Sequence, residues 1–120
     1  MNYAHIGFAI ADVSRSKEFY TKTLAPLGVE ITGEGEGWVA FGQERTNMLW
    51  IGTFGAPATP IHFAFEAETR EAVDAFYEAA LAAGGKDNGA PGIREQYAPN
   101  YYAAFVIDPD GHNVEAVCRA

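Results

Sequence analysis

The chain is poor in cysteine, in histidine, in positive charge and in long apolar runs. Its 120 residues include one cysteine, Cys118, so no internal disulfide can brace the fold, and a lone thiol suits a reducing cytoplasm. Eight Lys and Arg stand against sixteen Asp and Glu, a formal net charge of −8. Nucleic acids and anionic membranes are bound by clustered cations. Here the cations are few and scattered, so neither is an expected partner. No apolar run approaches the ~20 residues that span a bilayer. The N-terminus shows no basic stretch leading into an apolar one, so no signal peptide is expected and the location reads as cytoplasmic. With 48% hydrophobic residues, the length suffices for one globular domain with a single core.

What the chain does have is an internal repeat. A shift of 57 residues lays His62 on His5, Phe65 on Phe8, Phe76 on Phe19, Tyr77 on Tyr20, Leu81 on Leu24 and Gly85 on Gly28, without a gap. Only three histidines are present, and two of them fall at equivalent points of this repeat. Two copies of one small unit, related by a pseudo-two-fold, can bring such residues together across their junction.

Each copy reads the same way. Residues 2–10 alternate as a strand, with Ile6, Phe8 and Ile10 on one side and His5, Gly7 and Ala9 on the other. Asp12 offers an N-cap to a helix whose stripe is Ser16, Phe19, Tyr20, Thr23, Leu24 and Leu27, stopped at Gly28. In the second copy Ile61, Phe63 and Phe65 oppose His62, Ala64 and Glu66. Thr69 is the next cap, and Val73, Phe76, Tyr77, Ala80, Leu81 and Gly84 form the stripe. Short strands follow at 28–32, 37–42 and 47–53 in the first half. In the second half a Gly/Pro-rich loop at 87–92 leads to a strand at 101–107. Asp108-Pro-Asp-Gly111 then makes a tight turn into a last strand, 112–118. The expected fold is α+β: two βαβββ modules, 1–54 and 57–120, joined by a linker at 55–60. Together they form a curved mixed sheet with helices on its outer face and a cavity on the other.

The alternation places His5 and His62 on the face not covered by helices, among small residues. Glu115 alternates with Val114 and Ala116 and can join that face. A carboxylate in the apolar run Asn113-Val-Glu-Ala-Val117 is costly to bury without a partner. A divalent cation is one such partner, and two imidazoles with a carboxylate suit Zn, Fe, Mn, Ni or Co. Hydrogen bonding within the protein is the alternative. Trp50, Tyr97, Tyr101 and Tyr102 have the ring-plus-polar-tip character that lines ligand pockets, although core packing explains such residues equally well. Arg94 is positioned to meet an anionic substrate, or simply to be solvated in its loop. His112 points opposite Glu115 and reads as structural or exposed, and Cys118 as a small buried hydrophobe.

The stretches Ala4-His-Ile-Gly-Phe-Ala-Ile10, Arg15-Ser-Lys-Glu-Phe-Tyr20, Leu24-Ala-Pro-Leu-Gly28, Val73-Asp-Ala-Phe-Tyr77 and Ala104-Phe-Val-Ile-Asp-Pro-Asp-Gly-His-Asn-Val-Glu115 run nearly end to end. They resemble the vicinal oxygen chelate superfamily, which includes glyoxalase I, extradiol dioxygenases, and the fosfomycin and bleomycin resistance proteins. The resemblance implies metal ligands at His5, His62 and Glu115, a homodimer, and a small oxygen-rich substrate. It implies metal-assisted chemistry of lyase/isomerase or dioxygenase type, with the ion as Lewis acid. The alternative is a metal-free protein that sequesters a small molecule, as bleomycin resistance proteins do. One departure stands out. Glyoxalase I-like members take a fourth ligand from the fourth strand, and matching 47–51 to 113–117 sets Leu49 against Glu115, with Trp50 beside it. Neither side chain binds a metal. Glu66, four residues beyond His62 on the same strand face, is then the candidate general base.

Overall fold

Asp12 and Thr69, aligned by the repeat, make the same hydrogen bond. Asp12 Oδ1 accepts from the Arg15 amide at 3.1 Å, and Thr69 Oγ1 accepts from the Ala72 amide at 3.1 Å. Each satisfies an amide that the first helical turn would otherwise leave unbonded. In the computed structural model, which describes residues 5–44, 46–53, 55–56 and 60–120 (without the side chains of Thr46 and Asn47), these caps open α1 (Val13–Leu24) and α2 (Arg70–Ala82). The first residues of the expected opening strand, 2–4, and residues 57–59 of the expected linker lie outside the described residues.

The strands are β1 (Ile6–Ala9), β2 (Glu30–Gly35), β3 (Trp38–Gln43), β4 (Thr46–Gly52), β5 (His62–Glu66), β6 (Lys86–Ile93), β7 (Tyr102–Ile107) and β8 (Asn113–Cys118). They form two four-stranded mixed sheets in the orders β1-β4-β3-β2 and β5-β8-β7-β6, so each module has one helix and one sheet. In both sheets the first strand runs parallel to the last and the remaining pairs are antiparallel. The α1 stripe read from the sequence, Ser16 through Leu27, is buried throughout. α1 runs into a 3-10 turn, Ala25–Leu27, which Gly28 ends at φ +76, in the left-handed region glycine adopts without strain. On α2, Val73, Phe76 and Ala80 are buried, but Leu81 is 37% exposed, so the apolar stripe is narrower than its periodicity predicts.

The segment 87–92 is not a loop. It lies within β6, the outer strand of the second sheet, whose pairing with β7 slips between Asp87 and Gly89 and again between Gly89 and Gly92. Pro91 sits in the second slip, the kind of edge position where a residue without an amide hydrogen is tolerated. Gly and Pro are loop signals in isolation, and only the neighbouring strand overrides them.

The Asp108-Pro-Asp-Gly turn does structural work across the modules. Asp108 Oδ1 accepts from the amides of Asp110 (2.9 Å) and His112 (2.8 Å), and Oδ2 accepts from the buried Tyr20 hydroxyl of α1. Asp110 accepts from the Ala11 amide (3.2 Å), Ser16 Oγ (3.1 Å) and Arg15 (3.3 Å). His112, on which the sequence left structural and exposed readings open, is fully buried: its Nδ1 accepts from the Ile61 amide at 3.1 Å and its ring meets the edge of Phe8. Phe8 also packs against Phe63, with ring centroids 5.6 Å apart, and the buried residues of both modules form one hydrophobic core. Among the described residues no helix is long and apolar enough to cross a membrane.

Candidate functional site

Strand register decides what the open faces carry. In the second sheet Ala64 lies opposite Glu115, Glu115 opposite Phe105, and Phe105 opposite Gly89, one row across four strands. His62 is two residues before Ala64 and so shares the face. Its neighbours Phe65, Ala104, Val106, Val114 and Ala116 point the other way into the core.

On this face Glu115 is almost wholly buried, its side chain 3% exposed, and both of its oxygens are satisfied. Oε1 meets His62 Nε2 at 3.0 Å, and Oε2 accepts from the Tyr101 hydroxyl. His62, half exposed, sets its Nδ1 3.1 Å from the Asn113 carbonyl oxygen. Burial, and then the hydrogen bond to Glu115, pushes the Tyr101 phenol up to about 12, so Tyr101 is a fixed donor at neutral pH. Tyr97, 61% exposed, packs edge-on against Tyr101 at 5.2 Å. The His62 ring lies 6.2 Å from that of Phe105, at 29°, and Arg94 stands over the Phe105 ring at 5.4 Å. His62, Glu115, Tyr101, Tyr97 and Arg94 thus share one neighbourhood.

His5 and Trp50 belong to the other sheet. Their rings are 6.4 Å apart, and Trp50 stacks on Trp38 at 4.7 Å and 15°. The two indoles line a groove of about 330 Å³ with Glu36, Gly37 and Thr53. Trp38 was not singled out from the sequence. The available signal was the pair Gly33 and Gly35 on the adjacent strand: a Cβ on Gly35 would stand 2.4 Å from Trp38 Nε1. Those glycines let the indole lie flat on the sheet. Glu66, read as a possible base, is an exposed carboxylate paired with Arg119 at 2.7 Å. Tyr102 hydrogen-bonds Asp74 of α2, a contact between sheet and helix.

The register also corrects the match to the fourth strand. Gly7 lies opposite Trp50, as its repeat partner Ala64 lies opposite Glu115. Trp50, and not Leu49, is therefore the first-module counterpart of Glu115, and Leu49 is fully buried in the core. An indole does not bind a metal, so this position, like Leu49, offers no ligand.

Among the described residues no three of His, Cys, Asp and Glu come close enough to hold a metal ion. One chain brings together two candidate metal ligands, His62 and Glu115, 3.0 Å apart, and places His5 apart from them. The donor chemistry suits a divalent ion, but the set as assembled within one chain does not complete its site. Within the chain the polar neighbours of the buried Glu115 carboxylate are His62 and the Tyr101 hydroxyl.

Among curated proteins, none matches this chain. Solved structures do. A glyoxalase/bleomycin resistance protein from Albidiferax ferrireducens T118 is 29% identical with a TM-score of 0.84, over 98% of each chain. A glyoxalase-related enzyme from Fulvimarina pelagi is 21% identical with a TM-score of 0.74, over 98% of this chain and 87% of its own. A lactoylglutathione lyase from Agrobacterium tumefaciens is 20% identical with a TM-score of 0.71, over 98% and 92%. The family model of the Glyoxalase/Bleomycin resistance protein/Dioxygenase superfamily matches residues 2–116, and the chain belongs to that superfamily.

Proposed function

We propose that this protein binds a small, oxygen-rich molecule on the open face of β5–β8, held by His62, Glu115 and Tyr101. The observation that carries this reading is the 3.0 Å contact between an exposed imidazole and a buried carboxylate whose second oxygen is tied to a tyrosine. A hydroxyl or carbonyl oxygen arriving at His62 finds a polar group already aimed by its neighbours, so little orientation is lost on binding. Phe105 and Tyr97 supply the apolar surface beside it. In its metal-free form the reading is sequestration of the bleomycin-resistance kind, with His62 and Glu115 meeting the ligand directly.

The second form is a metal-dependent enzyme of lyase/isomerase or dioxygenase type, with His5, His62 and Glu115 as ligands to Zn, Fe, Mn, Ni or Co. Members of the superfamily are typically metal-dependent, and such an ion supplies Lewis-acid polarisation of substrate oxygens. This form needs His5 delivered to the pair by a second copy, so it entails a homodimer. Glu66 is its base only after releasing Arg119.

Two measurements test the proposal. Amide shift mapping with hydroxyacetone, a neutral α-hydroxycarbonyl, is expected to perturb His62, Tyr101 and Asn113 first; shifts confined to other faces would sink the reading. Elemental analysis of the purified protein separates its forms. Near-stoichiometric metal, lost in both His5→Ala and His62→Ala, establishes the enzyme. No metal in any of the three proteins establishes the binder.

A further inference from the structure

Arg94 leaves the end of β6 and folds back over it. Its Nη2 donates to the Ala90 carbonyl at 2.7 Å, and its guanidinium stands over the Phe105 ring. What allows this course is glycine. A Cβ on Gly89 would stand 3.1 Å from Nη2, and a Cβ on Gly92 would stand 3.1 Å from Nη1. The outer strand of the first module does the same for a different side chain, since Gly33 and Gly35 of β2 form the bed of Trp38. Both modules therefore use a glycine-bearing edge strand to lay one large side chain across the open face, an indole in one and a guanidinium in the other.

The charges around Arg94 are as informative as its geometry. Arg15, Lys17, Lys22 and Arg119 each pair with a carboxylate. Among the described residues Arg94, like Arg70 and Lys86, pairs with no carboxylate, in a chain with twice as many acidic as basic residues. Of these three only Arg94 lies on the face that carries His62 and Glu115. A guanidinium carries five N–H donors in a planar fork, and among the described residues its one hydrogen-bond acceptor is the Ala90 carbonyl. The ring over which it stands, Phe105, lies opposite Glu115 and beside His62.

We propose that Arg94 selects ligands of this face that carry an oxyanion, a carboxylate or a phosphate, which it would grip through its free donors while the rest of the molecule reaches His62. The inference rests on the reading of that face as a binding surface. A fork presented on a half-buried ring binds such groups in two-point fashion, which a lysine does not reproduce.

Glycolate and hydroxyacetone share a hydroxymethyl group and differ in whether a carboxylate or a neutral ketone follows it. Amide shift titrations at low salt with each, and with inorganic phosphate, are compared in wild type, Arg94→Gln, Arg94→Lys and Gly92→Val. Wild type should favour glycolate over hydroxyacetone by about tenfold. Arg94→Gln should bring that ratio near one and abolish shifts from phosphate. Gly92→Val keeps the charge but displaces the guanidinium, and should do likewise, with Arg94→Lys intermediate. An unchanged ratio in Arg94→Gln, or no preference for either anion in wild type, overturns the proposal. Should hydroxyacetone leave His62 and Tyr101 unmoved while the anions still titrate in an Arg94-dependent way, the proposed function falls and the role of Arg94 stands. The amide spectra also report whether each variant is folded.

Discussion

Glu115 shows how one residue is read differently from sequence and from space. In the chain it is a carboxylate stranded among valines; in the fold it is the best-bonded acid on the open face, with one oxygen on His62 and the other on Tyr101. Removing the Tyr101 hydroxyl leaves a buried oxygen without its partner, which costs about 1–3 kcal/mol. Tyr101→Phe should therefore lower the urea midpoint without changing the slope, and an unchanged midpoint would show that Glu115 does not depend on that bond. The tyrosines also set an alkaline limit. Burial first, then the charge and hydrogen bond of Asp108, raise the Tyr20 phenol well above its ordinary value of 10.0, and Tyr101 moves up to about 12. Both protons are held more tightly in the folded chain than in the unfolded one. The stability this gives is complete below about pH 10 and is lost as pH climbs toward 12. Denaturant midpoints should hold level up to pH 10 and then fall. Phenolate absorbance should show Tyr20 and Tyr101 ionising only with unfolding.

At the scale of elements, the helices were legible and one edge strand, β6, was not. The α1 and α2 caps and most of their stripes follow from local chemistry, because a helix satisfies its own backbone and declares its face every three or four residues. β6 declares nothing of the kind. Its Lys-Asp-Asn-Gly-Ala-Pro-Gly-Ile run reads as loop, and it is a strand because β7 offers it a ladder. Its glycines, like those of β2, serve side chains that lie upon them. Gly35→Ala tests this directly. A methyl 2.4 Å from the Trp38 indole nitrogen forces the ring off the sheet, so the stacking on Trp50 should be lost. Coupled indole bands in near-ultraviolet circular dichroism should vanish, while far-ultraviolet bands persist. Retention of the coupled bands would mean that the glycine bed is not what holds the platform.

At the scale of the molecule, the Asp108-Pro-Asp-Gly turn fastens one module to the other. Asp110 takes hydrogen bonds from the Ala11 amide, Arg15 and Ser16, all in the opposite module. Ser16 is buried, so Asp110→Ala leaves its hydroxyl unpaired, at a cost of about 1–3 kcal/mol. The expected outcome is a lower thermal midpoint and faster hydrogen exchange at the start of α1. If only the turn itself exchanges faster, the hydrogen bonds of Asp110 are not what fastens the modules. The Asp-Pro-Asp-Gly part of the closing motif that most marked the family resemblance thus joins the modules, while the last residue of that motif, Glu115, belongs to the candidate site.

The sequence by itself determined the repeat, the caps, the helices and the family, because each depends on contacts between residues close in the chain or on a pattern copied whole. It also placed His62 and Glu115 on one face, since strand alternation is local. Only tertiary structure decided that these two meet while His5 stays with the other sheet, and that Trp50 stands where Glu115 stands in its own module. The reason is register: which residue faces which across a sheet is set by the pairing of distant strands, and a shift of one position exchanges an open face for a buried one.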